Sequence, residues 1–204
     1  MLVSSPVEAM RIQLPDADGA MAEDEVPGPP PVPPGALRLV NFAWHTERVA
    51  MCAEEPGPLI EFGSFRIPRT QVWVRDGTTI RQLAVGAGAC DPAWSPDGDW
   101  LAVVTPDGLW VLSGDLRQTV HLFDVRRQKV STDEFENRTL AEPVWAPDAS
   151  ALAVLVSTEE TTWVEVIDVR TGENVYSSEA DIYDFAWGED SQSLRFGSRV
   201  VRLP

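Results

Sequence analysis

Asp91-Pro-Ala-Trp94-Ser-Pro-Asp-Gly98 recurs, in altered form, three more times along the chain. The other copies are Asn41-Phe-Ala-Trp44-His-Thr-Glu, Glu142-Pro-Val-Trp145-Ala-Pro-Asp-Ala149 and Tyr183-Asp-Phe-Ala-Trp187-Gly-Glu-Asp190. The tryptophans are 50, 51 and 42 residues apart. A period of this size marks a repeat architecture, in which each unit buries its apolar face against its neighbours. The turn in the phrase has clear chemistry. Pro96 presets φ near −65°, and Gly98 can take the positive φ that closes a hairpin. Trp94 offers a broad flat surface to an adjacent sheet.

Outward from these phrases, the chain after residue 36 consists of short apolar runs separated by turns. β-Branched and aromatic residues alternate with polar ones over four to six positions, the period of a strand. Later phrases also align: Gln71-Val-Trp-Val-Arg-Asp-Gly77, Thr119-Val-His-Leu-Phe-Asp-Val-Arg126 and Trp163-Val-Glu-Val-Ile-Asp-Val-Arg-Thr-Gly172. These read as third strands. Thr79–Leu83, Lys129–Thr132 and Asn174–Ser178 then read as fourth strands. On this reading, long loops at Glu54–Thr70 and Thr105–Gln118 separate second from third strands and are the places to carry specificity. The first holds an apolar set, Leu59, Ile60, Phe62 and Phe65.

The segment Trp94-Ser-Pro-Asp-Gly-Asp-Trp-Leu-Ala-Val-Val104 resembles the WD40-like repeat (PD40) of TolB-type β-propellers. Val164-Glu-Val-Ile-Asp168-Val-Arg-Thr171-Gly172 matches the second half of that repeat. The resemblance implies an all-β fold, a β-propeller of about four blades, three complete and one partial. The blades fall at about 36–86, 87–139, 140–180 and 181–204. The fourth has room for three strands, near Ile182–Trp187, Ser193–Gly197 and Arg199–Leu203. Propellers often carry about six to eight blades, so the chain is expected to close as a four-bladed ring, to be completed by association, or to be part of a larger propeller. Two units depart from the pattern. His45-Thr-Glu-Arg48 stands where Ser-Pro-Asp-Gly belongs, and Ala149 occupies a glycine place.

Residues 1–35 precede the repeats. Within them residues 16–35 are acidic and then proline-rich, their second half favours polyproline II, and they read as a linker. Before that linker Ala9–Leu14 alternates as a strand and is expected to supply the missing edge strand of the last blade. The formal net charge is −16, of which residues 36–204 carry −11. An acidic surface repels nucleic-acid phosphates, and the one dense basic run, Arg126-Arg127-Gln-Lys129, reads as a solvated turn. Cys52 and Cys90, with no CxxC spacing, read as two free thiols. No apolar stretch is long enough for a membrane span. The N-terminus lacks a basic region followed by an apolar core, which makes cytoplasmic the default location.

Catalytic constellations are sparse. There is no Gly-x-Ser-x-Gly elbow. The two histidines are His45 and His121. Metal motifs are lacking, Asp16-Ala-Asp18-Gly19 being only part of a calcium loop. Gly86-Ala-Gly88 precedes no helix that could hold phosphate. The carboxylate pairs Glu159-Glu160 and Asp133-Glu134-Phe-Glu136 fall in predicted loops. The sequence thus assigns no catalytic, cofactor-binding or metal-binding residue, and no cofactor. The expectation is a non-catalytic scaffold that binds a protein or ligand through its loops or channel mouth. Its partner is a protein or a second copy, not nucleic acid or membrane. The alternative is an accessory or sensor propeller belonging to a larger enzyme, such as a prolyl-oligopeptidase-type peptidase.

Overall fold

The computed structural model describes residues 27–62, 65–85, 88, 90–124, 139–158, 160–179 and 184–203. Among these, every regular element is a β-strand. The first sheet contains β1 (Arg38–His45) and β2 (Arg48–Glu54). A hairpin, β3 (Ile60–Phe62) and β4 (Phe65–Ile67), is inserted before β5 (Thr70–Asp76) and β6 (Thr79–Leu83) complete that sheet in the order β1-β2-β5-β6. The second sheet runs β7 (Asp91–Trp94), β8 (Trp100–Thr105), β9 (Gly108–Ser113) and β10 (Thr119–Asp124). The third runs β11 (Thr139–Trp145), β12 (Ala151–Ser157), β13 (Thr162–Asp168) and β14 (Asn174–Ser177). The fourth has three strands, β15 (Ala186–Trp187), β16 (Ser193–Phe196) and β17 (Arg199–Arg202). Each sheet is an antiparallel meander. Three complete units and a partial one are therefore present, as the repeat phrases predict.

The sheets stack through their first strands, with β1 against β7, β7 against β11 and β11 against β15. Three apolar layers fill the spaces between them. Ala50, Val72 and Val74 meet Trp94, Leu101 and Val103. Ala102, Val104 and Leu109 meet Trp145, Leu152 and Val154. Ala153, Val164 and Val166 meet Leu194 and Phe196. Alternation along each strand sends neighbouring residues into successive layers, which is why β8 and β12 are apolar on both faces. Each fully buried Leu or Val stabilises the stack by about 1.5–3 kcal/mol.

Trp94 and Trp145 are buried, while Trp44 and Trp187 are half-buried. The repeat reading expects each of the four to be mostly buried, which holds for the middle two. Trp44 faces the side of the first sheet where no described sheet precedes it, whereas Trp187 lies against the third sheet from a short, three-stranded fourth sheet.

The second sheet corrects the strand reading. Thr105↔Gly108 pairing closes a tight Pro106-Asp107 turn, so β9 is the third strand and β10 the fourth. No long loop spans Thr105–Gln118. Leu109-Trp-Val-Leu112 is an apolar run directly behind a turn, and the alternating Thr119–Asp124 only mimicked a third strand. Lys129–Thr132 lies outside the described residues, as do Ala9–Leu14, the Arg126–Lys129 run and the Asp133–Glu136 carboxylates.

The cysteines are also corrected. Cys52 and Cys90 form a disulfide with Cα atoms 5.8 Å apart. Cys52 faces the second sheet from β2, and Cys90 immediately precedes β7, which packs on β2. A separation of 38 residues is long in sequence but short across a sheet-to-sheet boundary. Closing a loop of this size lowers the entropy of the unfolded chain by the equivalent of about 4 kcal/mol.

The turn after the first strand repeats with the same bonds in three sheets. The amides of Ser95, Ala146 and Gly188 donate to the carbonyls of Trp100, Ala151 and Ser193. The amides of Gly98, Ala149 and Ser191 donate to the carbonyls of Ser95, Ala146 and Gly188. The fourth turn residue has positive φ each time: 72° at Gly98, 59° at Ala149 and 55° at Ser191. In the first sheet a two-residue turn replaces this loop, with Thr46 at φ 52° and His45 paired to Arg48. A side chain on Gly98 would collide with His45 and Arg48 of the first sheet. We expect Gly98→Val to lower the melting temperature strongly. Ala149→Gly relieves a left-handed alanine and should be neutral or stabilising by up to about 1 kcal/mol. Thermal melts of both variants check this; equal destabilisation would show that the two turns differ.

Candidate functional site

The residue three positions before each repeat tryptophan is polar: Asn41, Asp91, Glu142 and Asp184. In the structure these stand at or just before the innermost strands β1, β7, β11 and β15. They form a chain of contacts across the sheets. The Asn41 side-chain amide donates to one oxygen of Asp91 at 2.6 Å. The Glu142 backbone N–H donates to the other at 2.8 Å. One carboxylate thus joins three sheets.

Glu142 has φ 49° although Pro143 follows it, a position where extended backbone is the norm. It sits in a bulge, where the β11–β12 register shifts between Ala141 and Val144. The bulge turns the Glu142 amide toward Asp91, and this bond offsets the strain of the left-handed conformation.

Charge is concentrated here without a cation among the bonded partners. Burial pushes the Asp91 carboxyl above its ordinary range, against the lowering effect of its two hydrogen bonds. Partial burial raises Glu142 as well, and the negative charges of Asp91 and Asp184 add to the rise. The turn aspartates behave oppositely. Asp97, Asp148 and Asp190 are held below the usual carboxylate range, chiefly by hydroxyl donation from Ser95, Ser150 and Ser193. Each also accepts the amide two residues on, from Asp99, Ser150 and Gln192, at 3.0 Å. These three carboxylates are turn caps.

Beside Asp91 lies a cavity of about 410 Å³. Its lining includes the polar residues Asn41, Asp91, Thr105 and Thr139 and the apolar Ile67, Val104, Pro106 and Leu140. Three sheets and the inserted β3–β4 hairpin therefore meet around it. Of the two loops expected to carry specificity, Glu54–Thr70 contributes Ile67 at the end of β4, and Thr105 and Pro106 come from the β8–β9 turn. Cys90, bonded to Cys52, also borders the cavity.

Among the described residues no group of three His, Cys, Asp or Glu side chains is placed to hold a metal ion. His45 lies at the first turn, near the Pro96 carbonyl at 3.2 Å, where it packs against the second sheet. Beside it Arg48 donates to the Gly98 carbonyl at 2.7 Å and covers the Trp94 ring at 4.6 Å.

No protein-family model matches the chain, and no curated protein matches it. Solved structures do. The β-propeller domain of the Trilobed protease from Pyrococcus furiosus aligns with a TM-score of 0.54 at 15% identity, over 76% of this chain and 47% of that one. Pyrococcus horikoshii acylaminoacyl peptidase aligns with a TM-score of 0.54 at 12% identity, over 76% of this chain and 27% of that one. Porphyromonas gingivalis dipeptidyl peptidase 4 aligns with a TM-score of 0.51 at 15% identity, over 77% of this chain and 28% of that one. The likeness shows the fold, a partial β-propeller. The chain spans less than half the length of each of these proteins.

The raised Asp91 carboxyl makes a signed prediction. A carboxyl raised in the fold disfavours the charged native state. The stability it contributes is present below about pH 4, its unfolded range, and is lost as pH rises through the folded value. Asp91→Asn removes the charge and keeps an acceptor. The stability difference between variant and parent should therefore move in the variant's favour between about pH 4 and pH 7. Urea melts across that range check it; a difference that stays flat or moves the other way contradicts the buried-charge account.

Proposed function

We propose that this chain is a non-catalytic β-propeller scaffold of the TolB-like type, binding a protein partner at the mouth where its innermost strands begin. The observation that carries this reading is the cavity beside Asp91, walled by three sheets and an inserted hairpin. Apolar walls with a few convergent polar groups are the usual make-up of a binding site. The charge defines the partner. Asp91, Glu142 and Asp184 repel one another, and a lysine or arginine side chain entering the mouth relieves that repulsion. The overall charge of −16 steers cations toward the protein in the same sense. A disulfide between the first two sheets suits a compartment where thiols stay oxidised, so we place the protein there rather than in the cytoplasm by default.

A second reading has a specific observation behind it. Peptidases are among the structures with TM-scores above 0.5. On that reading the chain is the propeller portion of a longer peptidase. A Gly-x-Ser-x-Gly elbow encoded in frame with this chain would favour it.

Short lysine and glutamate peptides test the scaffold reading. Titration with tetralysine should shift the NMR signals of the Glu142 amide and the Asn41 side-chain amide first, and tetraglutamate should shift neither. Equal responses to both peptides, or shifts scattered over the whole surface, would contradict a cation-accepting mouth.

A further inference from the structure

The first sheet has one face turned away from the second. Register places Phe42, Trp44, Val49, Met51, Ala53 and Trp73 on that face. The apolar layers that join the described sheets include none of these residues. Val49, Met51 and Ala53 nonetheless have no exposed surface. Something other than these layers covers them.

The segment entering β1 has the geometry to do so. Along residues 29–36, Pro30 and Pro33 are buried and Ala36 is half-buried, while Pro29, Pro31, Val32, Pro34 and Gly35 are exposed. Burial every third residue is the signature of a polyproline II helix lying with one edge against a surface, since that helix has three residues per turn. The segment then reverses direction. The Ala36 amide donates to the Pro33 carbonyl at 3.2 Å, and Gly35 has φ 84°. Pro34 and Gly35 at the two central positions match a type II turn. The next amide, Leu37, bonds the Glu54 carbonyl and joins the segment to the first sheet. A chain folded back at this point lies alongside that sheet. Its other face is already filled by the second sheet.

We propose that residues 29–33 form a polyproline cap over the outer face of the first sheet, standing where a preceding blade would stand. Polyproline helices dock on aromatic-lined surfaces because their backbone is already ordered, and this face presents Phe42, Trp44 and Trp73. The fourth sheet presents a different outer face. Ala50, Ala102 and Ala153 are equivalent positions that each face the following sheet, whereas the fourth sheet has exposed Arg195 there. Val200, paired with Arg195, is exposed on the same face. On this proposal residues 29–33 belong to the folded unit.

Substitutions by phase in the full chain test the cap. Pro30→Glu places a charge on the buried edge and should raise the fluorescence of an apolar-surface dye several-fold and promote self-association by light scattering. Pro29→Glu and Pro31→Glu, on the exposed edge, should leave both at the parent level. Removing residues 1–26 should change neither, whereas removing residues 1–33 should reproduce Pro30→Glu. Equal effects at positions 29, 30 and 31, or full exposure on removal of residues 1–26 alone, would overturn the proposal. So would a 1–33 deletion that stays monomeric and dye-silent.

Discussion

Everything in this fold depends on how one sheet recognises the next, and the tryptophan on each first strand does most of that. Trp145 donates its indole N–H to the Ala93 carbonyl, and Trp187 donates to the Val144 carbonyl, both at 2.9 Å. In each case the acceptor is the residue just before the preceding sheet's own tryptophan. The bond sets the angular step between sheets, while the ring fills the layer between them. Trp94 is held differently. Its indole has no acceptor, and Arg48 instead stacks on the ring and reaches the Gly98 and Gly114 carbonyls. The shorter first turn is the reason. It brings Arg48 to the position from which a guanidinium can hold the second sheet's loop, and the Cys52–Cys90 disulfide fastens the same boundary.

The stack also places its polar residues. A residue three positions before each tryptophan lies on or just before a first strand, and there Asn41 and Asp91 line the cavity while the Glu142 amide bonds Asp91. Asp91 serves both roles there. Its carboxylate ties Asn41 and Glu142 together across three sheets, and its burial leaves charge that no described cation neutralises. Structural cohesion and the proposed recognition of a basic side chain draw on the same group.

Much of this was legible in the sequence because turns and tryptophans are local signals. The repeat phrases carry the sheet count, the hairpins and the left-handed position at Ala149. What lay beyond reach was non-local. The pairing of Cys52 with Cys90 depends on which strand of one sheet faces which strand of the next. The strand order of the second sheet was misread because Pro106-Asp107-Gly108 is a second tight turn of the kind already seen at Ser95–Gly98, and alternation alone cannot tell a third strand from a fourth. Asn41, Asp91, Glu142 and Asp184 were visible in the quoted phrases. Their equal offset from the tryptophans was the signal; only strand stacking turns it into a site. Composition likewise labels residues 16–35 a linker; the burial of Pro30 and Pro33 within it is visible only in the fold.

The most direct test of the account is hydrogen exchange of the tryptophan indole protons, followed by NMR in the intact protein. The account requires the Trp145 and Trp187 indole protons to exchange slowly, with rates that track global unfolding as denaturant is added, because each is locked into the preceding sheet. Fast exchange at both positions under native conditions, while the amides of β8 and β12 remain protected, would show that the sheets are formed but not joined by their tryptophans.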